Sequence, residues 1–236
     1  MKSRWPLLLG LITSLLLAAC AGTPTPLPAM QTLLDQSAQT LQTLRSAHFI
    51  IERTGAPAYV DEGHTFIFRR AEGDFVAPDQ ARATVRVISA ALVADVSVVA
   101  LGDRYWETNP FTNAWGNYSG LGYNPAALFN PQTGLAAILR HDLTNLQLVG
   151  LEQLDGYPGE KLFHLSAEAP GERASAMTAG MVGRGPLKLD WWVQPQTNYT
   201  LRLRIVEPET DPKDPTVWDV EFDSFNAPVT LTPPAP

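Results

Sequence analysis

Apolar residues at Met30, Leu33, Leu34, Ala38, Leu41 and Leu44 recur at three-to-four spacing, with Gln, Thr and Asp on the opposite side. The spacing predicts an amphipathic helix over residues 30–46, packed by one stripe. Period two then takes over. Phe49 and Ile51 alternate with His48 and Glu52, and Phe66 and Phe68 with Thr65 and Arg69, so both runs read as strands punctuated by Gly55, Pro57 and Gly63. After the turn signals Gly73-Asp74 and Pro78-Asp79 come two more β-rich runs, 83–90 and 92–101. The second is apolar on nearly both sides, with Asp95 and Ser97 as the exceptions, which predicts a strand covered on both faces. Residues 102–130 are dense in turn formers and aromatics and predict loops around a short strand at Tyr105. The stretch 131–141 opens on Pro131 and puts Leu135, Ile138 and Leu139 on one side, the pattern of a second helix.

The second half alternates more cleanly. Leu146 and Leu148 mark one strand and residues 162–165 another, joined through Asp155-Gly156, while the small residues of 171–182 are compatible with a helix. Leu187, Leu189, Trp191 and Val193, then Tyr199, Leu201, Leu203 and Ile205, then Trp218, Val220 and Phe222 form the oily sides of three strands. Lys188, Asp190, Arg202, Arg204, Asp219, Glu221 and Asp223 form their charged sides. Strands of this kind belong to an antiparallel sheet wet on one face. The pattern as a whole predicts an α+β fold, a large antiparallel sheet with a few helices on its oily face.

The start of the chain reads differently. Lys2 and Arg4 precede an apolar stretch, Leu7 to Leu17, that is short for a permanent membrane span. It ends Leu17-Ala18-Ala19-Cys20, which resembles the lipobox of bacterial lipoproteins. The resemblance implies cleavage before Cys20, acylation of the Cys20 thiol and anchoring of the protein to the membrane through it. Residues 1–19 are then a lipoprotein signal peptide. Residues 20–29, where proline alternates with small residues, form an extended tether that packs no core. Residues 30–232 make one domain and 233–236 a proline-rich tail.

Composition sharpens this picture in three ways. Across 236 residues, 17 Lys+Arg against 24 Asp+Glu give a net charge of −7, and removal of residues 1–19 leaves 15 against 24, or −9. An acidic chain lacks the basic face that nucleic acid requires. With Cys20 the single cysteine, no intramolecular disulfide and no cysteine metal cluster is available. Twenty prolines and 17 glycines argue for many turns and against a helical bundle.

Catalytic chemistry finds no foothold. His48, His64, His141 and His164 stand apart with no helical pair among them, and residues 116–120 have the wrong spacing for a nucleophile elbow. No phosphate-binding glycine motif follows a predicted strand. Asp190, Asp219 and Glu221 face Arg202 and Arg204 across the wet side of the sheet, where cross-strand charge pairing explains them. The expectation is a protein that is not an enzyme and carries no cofactor or metal.

Several segments, in order, resemble the LppX/LprAFG family of bacterial envelope lipoproteins, related in shape to the LolA/LolB carriers. They are the lipobox at Cys20, the helix ending Leu44-Arg45-Ser46-Ala47-His48-Phe49, and the run from Glu72 through Asp79. Further along come Gly102 through Pro110 with Trp115, then Pro131 through Leu139 as the family's mid-chain helix, and Phe225 through Val229 as its final strand. Ser89-Ala90-Ala91 departs from the glycines that members often carry near the middle of the sheet. The resemblance implies a curved antiparallel half-barrel with helices on its concave side and a hydrophobic cavity between. It also implies that the protein binds acylated lipids or glycolipids and carries them within the cell envelope. The accompanying expectations are a lipid-anchored position on the extracytoplasmic face of the cell membrane, a monomer, and a membrane transporter as partner.

On that basis the expected lining is Phe49, Ile51, Phe66, Phe68, Val87, Val96, Val98, Leu135, Ile138, Leu139, Trp191, Leu203 and Ile205. The expected cavity mouth is Tyr105, Trp106, Trp115 and Tyr118. The competing expectation is an envelope scaffold or sensor, in which the same fold has a filled core and presents its loops to a protein partner. An enzyme acting on lipid or glycan ranks third.

Overall fold

The computed structural model describes residues 30–119 and 123–235; Cys20, the signal segment and residues 20–29 lie outside them. Helix α1 (Met30–Gln42) buries Leu33, Leu34, Ser37, Ala38 and Leu41, the stripe its spacing predicts. It stops short of residue 46 because Ser46 already pairs with Val76 in the sheet.

From there the chain runs through β1 (Ser46–Thr54), β2 (Ile67–Val76), β3 (Gln80–Ile88), β4 (Val93–Leu101), β5 (Arg104–Thr108) and β6 (Trp115–Asn117). Each strand pairs antiparallel with the one before it, so this wing grows outward from β1. A 3-10 helix (Pro125–Phe129) and α2 (Leu135–His141) then carry the chain to the opposite edge. There β7 (Thr144–Glu152), β8 (Leu162–Ala169), α3 (Glu172–Met177), β9 (Leu187–Val193), β10 (Thr200–Glu207) and β11 (Thr216–Asp223) build the second wing inward. Strand β11 pairs with β1, His48 opposite Asp223, and closes one 11-stranded sheet of order β6-β5-β4-β3-β2-β1-β11-β10-β9-β8-β7. It is an open, curved antiparallel half-barrel with helices on its concave hydrophobic face.

The two faces differ as the alternation requires. Phe49, Phe75, Leu165, Leu189, Trp191, Leu203, Ile205, Val220 and Phe222 turn to one side and share a core with α1 and α2. Phe129 of the 3-10 helix stacks on Phe75 at 4.2 Å and meets Phe222 at 5.7 Å, clamping the crossover to the middle of the sheet. The other side carries ion pairs and a small apolar cluster of Leu154, Leu162, Trp192 and Leu201. Arg202 and Arg204 both donate to Asp219, and Arg86 pairs with Asp95. Asp190 pairs not with the arginines but across β8–β9 with His164, at 2.9 Å.

Several elements depart from the sequence pattern for local reasons. Strand β2 starts at Ile67, leaving Phe66 ahead of it, and a bulge at Arg69 lies between the pairs Phe68–Val87 and Arg70–Arg86. Strand β4 is not covered on both faces: Val93 is 65% exposed, because the core of helices and sheet centre stops short of this end. Residues 89–91 form the β3–β4 turn, where the Ser89 hydroxyl accepts from the Ala91 and Leu92 amides, so they do not lie in mid-sheet. The mid-chain helix begins at Leu135 rather than Pro131. Its cap, Gly134, has space for no side chain, since a Cβ there would stand 2.4 Å from the Leu128 carbonyl oxygen. Residues 225–229 are not a strand. Asn226 adopts φ 57°, accepts from the Arg45 amide at 2.8 Å and donates to the Tyr199 hydroxyl at 2.9 Å, pinning the chain beyond β11.

Candidate functional site

The helices meet the second wing of the sheet around an apolar void. Its floor comes from alternating inward positions: Leu187, Leu189 and Trp191 on β9, Leu203 and Ile205 on β10, Phe222 on β11. Its roof is Leu41 of α1, then Leu135, Ile138 and Leu139 on one side of α2, with Ala174 of α3 beside them. The void is about 20 Å³, room for about one water molecule. Pockets that hold drug-sized ligands run from roughly 300 to 1,000 Å³. The void between helices and sheet is far smaller than that.

Few polar groups interrupt it. Thr200, at the start of β10, lines the void, and its hydroxyl is 2.9 Å from that of Ser37 on α1, a buried pair that ties the helix to the sheet. Gln42 of α1 donates to the Pro131 carbonyl, and Arg140 of α2 donates to Gln39 of α1, so the two helices are bound to each other. Trp191 is fully buried. Among the described residues its indole Nε1 is the one buried side-chain nitrogen or oxygen without a hydrogen-bond partner.

The expected lining residues fall into three groups. Leu135, Ile138, Leu139, Trp191, Leu203 and Ile205 border the void. Phe49, Phe68 and Ile51 belong to the same core nearer the sheet centre, Phe68 against Trp218 at 5.2 Å, and Val87 is buried opposite Phe68. The rest stand elsewhere. Val96 and Val98 join a separate small cluster with Ala100 and Tyr105, and Phe66 meets Phe111 edge-on at 6.1 Å outside the core. The expected mouth also lies apart. Tyr105 and Trp106 sit on β5, Trp115 on β6 and Tyr118 just after it, separated from β10 by β4, β3, β2, β1 and β11.

Tyr105 is buried and donates to Glu107 at 2.9 Å. Burial, reinforced by that carboxylate, pushes its phenol far up, and burial does the same to Tyr123. Trp106 points to the other face, under the Arg104 guanidinium. Leu41, Ala174, Leu187, Leu189, Thr200 and Phe222 complete the void without having been singled out as lining. Alternation marks Leu187, Leu189 and Phe222 as inward; which inward residues surround a gap is decided by where α1 and α2 land.

Among the described residues no group of three or more His, Cys, Asp or Glu side chains could hold a metal ion, and no helix is long and apolar enough to cross a membrane.

Comparison with known proteins places this architecture. The family model described as LppX_LprAFG lipoprotein matches residues 29–231. The structure of LprF from Mycobacterium bovis is similar with a TM-score of 0.65 at 17% identity, covering 89% of this chain and 99% of that one. The structure of the Mycobacterium tuberculosis lipoprotein LppX is similar with a TM-score of 0.61 at 19% identity, covering 87% and 99%. At these identities the likeness concerns the fold. No curated protein matches the sequence.

Proposed function

The chain belongs to the LppX_LprAFG lipoprotein family, and from that premise we propose that it binds an acylated lipid or glycolipid between its helix layer and its sheet and carries it within the cell envelope. Family membership supports a lipid- or lipoprotein-binding carrier role in general terms and an envelope-associated lipoprotein. The ligand class and the anchoring through Cys20 are this reading's own. In it, residues 1–19 are removed, acylated Cys20 holds the extracytoplasmic face of the membrane, and residues 20–29 let the domain of residues 30–232 reach away from it.

The observation that carries the proposal is the boundary between α1–α2 and the concave face of β9–β11. It is almost wholly apolar, and a single buried hydroxyl pair, Ser37–Thr200, crosses it from α1 to the floor. A ligand that replaced these contacts with acyl chains would lose little, and each buried methylene contributes about 0.8 kcal/mol. The void as it stands is too small for a chain, so loading requires the helix layer to lift. Unloaded, the layer falls back and removes its apolar surface from water.

The closed core also favours the second reading, an envelope scaffold or sensor with no interior ligand. The two are separated by lipid extraction and mass spectrometry on the domain from Met30 onward, purified without detergent, followed by titration with a fluorescent acyl probe. A bound multi-acyl species, or saturable probe binding, is the outcome expected of the carrier. Absence of both would leave the scaffold.

A further inference from the structure

Three tryptophans on the second wing are buried, and they are not treated alike. Trp192 donates its indole N–H to Glu152 at 2.8 Å, and Trp218 donates to Glu207 at 2.7 Å. Each is completed by a carboxylate from another strand. Trp191, adjacent in sequence and more deeply buried than either, has nothing. A buried donor without an acceptor is costly, and phenylalanine, with a smaller ring and no N–H, would avoid that cost. Trp191 lines the void, where its neighbours are aliphatic or aromatic apart from Thr200, whose hydroxyl is engaged with Ser37.

We propose that the Trp191 indole N–H is the hydrogen-bond donor for the acyl carbonyl of the bound lipid. This rests on the lipid-carrier reading and specifies the ligand chemistry it takes. The acceptor must be neutral: no lysine, arginine or histidine lines the void, so a carboxylate or phosphate brought there would be buried without a counter-charge. It must also sit within the apolar part of the ligand, since Trp191 is fully buried on the floor beneath the helices and its Nε1 touches no solvent. An ester carbonyl at the head of an acyl chain meets both conditions. A plain alkyl or ether-linked chain fills the same volume and leaves Trp191 unpaired. The donor therefore fixes the depth at which acyl chains stop and discriminates ester-linked from ether-linked lipid.

The test compares two probes of matched length, 1,2-dipalmitoylglycerol and its diether analogue 1,2-dihexadecylglycerol. Each competes with a fluorescent acyl probe for the full chain, purified and stripped of lipid. The wild-type protein is expected to prefer the diester by about tenfold, the scale of one buried hydrogen bond made or missed. In Trp191→Phe the preference should vanish, because diester binding weakens by more than diether binding. Equal wild-type affinity for the two probes overturns the inference and leaves the carrier reading in place, a comparison that needs no variant. So does a Trp191→Phe protein that keeps the preference. Failure of both probes to bind the wild-type protein removes the carrier reading and this inference with it.

Discussion

Phe129 joins the 3-10 helix to the sheet by contacts with three other rings, Phe75 at 4.2 Å, Phe222 at 5.7 Å and Phe49 at 6.2 Å. These rings come from β2, β11 and β1, the three strands at the middle of the sheet. Phe129→Ala removes the shared partner and leaves a cavity that the stiff strands cannot close. Urea denaturation should show a loss of about 3–5 kcal/mol, the usual cost of such a truncation. That Phe49 and Phe222 point inward is legible from alternation with His48 and Glu221, whereas Gly73-Asp74 reads as a turn and conceals that Phe75 lies inside β2. The role of Phe129 is not, because it lies in a turn-rich stretch with no period. Trp191 gives the same lesson in sharper form. Its inward position follows from Leu187, Leu189 and Val193, but whether its N–H is satisfied depends on which glutamate a distant strand delivers. Strand β7 supplies Glu152 to Trp192, and Trp191 faces the other way.

Helix α1 has the strongest periodicity in the chain and the clearest consequence for loading. If lipid enters by displacement of the helix layer, fixing α1 to β10 should prevent it. Ser37 and Thr200, whose hydroxyl oxygens are 2.9 Å apart, are the side chains at which the pair Ser37→Cys and Thr200→Cys would place a disulfide between α1 and β10. The domain from Met30 onward contains no other cysteine. The oxidised double variant should fold and take up little acyl probe, and reduction should restore uptake; undiminished uptake in the oxidised form would mean that α1 stays seated during binding. The existence of α1, α2 and the long strands is legible from spacing alone. The onset of α2 is not, because it is set by the approach of Gly134 to the Leu128 carbonyl, a contact between backbone groups that carries no hydrophobic signal. The true position of β2 is likewise hidden: the bulge at Arg69 shifts its alternation by one residue beyond Phe68, and Phe66 stands ahead of the strand, outside the core.

The ion pairs lie on one face of the sheet, opposite the main core, and this sets the response to acid. Burial raises the pKa of Asp219, but hydrogen bonds from Arg204 and Arg202 outweigh it and hold the carboxyl below its ordinary value. Asp74 is balanced in the same way, burial against hydrogen bonds from His48 and Arg82, and Asp95 is lowered by its hydrogen bonds from Arg86. A carboxyl with a depressed folded pKa lends stability that is full above its unfolded value, about 3.9, and is lost as pH falls through the folded value. Stability should therefore hold from neutrality down to about pH 4 and decline below it. Asp219→Asn should lower stability at pH 7 by about 1 kcal/mol, a modest figure because the pairs are partly solvated, and should flatten the acid decline. Chemical denaturation across pH 2–7 measures both.

The alternation made a large antiparallel sheet legible, but not its strand order. The leap from β6 at one edge to β7 at the other is made by the crossover segment, and nothing in the strands themselves signals it. That leap has a consequence in time. A chain synthesised amino end first delivers β1 early and its neighbour β11 last. Until the final strand arrives, the oily seam at the centre stays open, with β1 bonded along one edge only. Removing β11 would likewise disconnect β1 from β10 at the midline, where loss of a terminal strand from most sheets only trims a border.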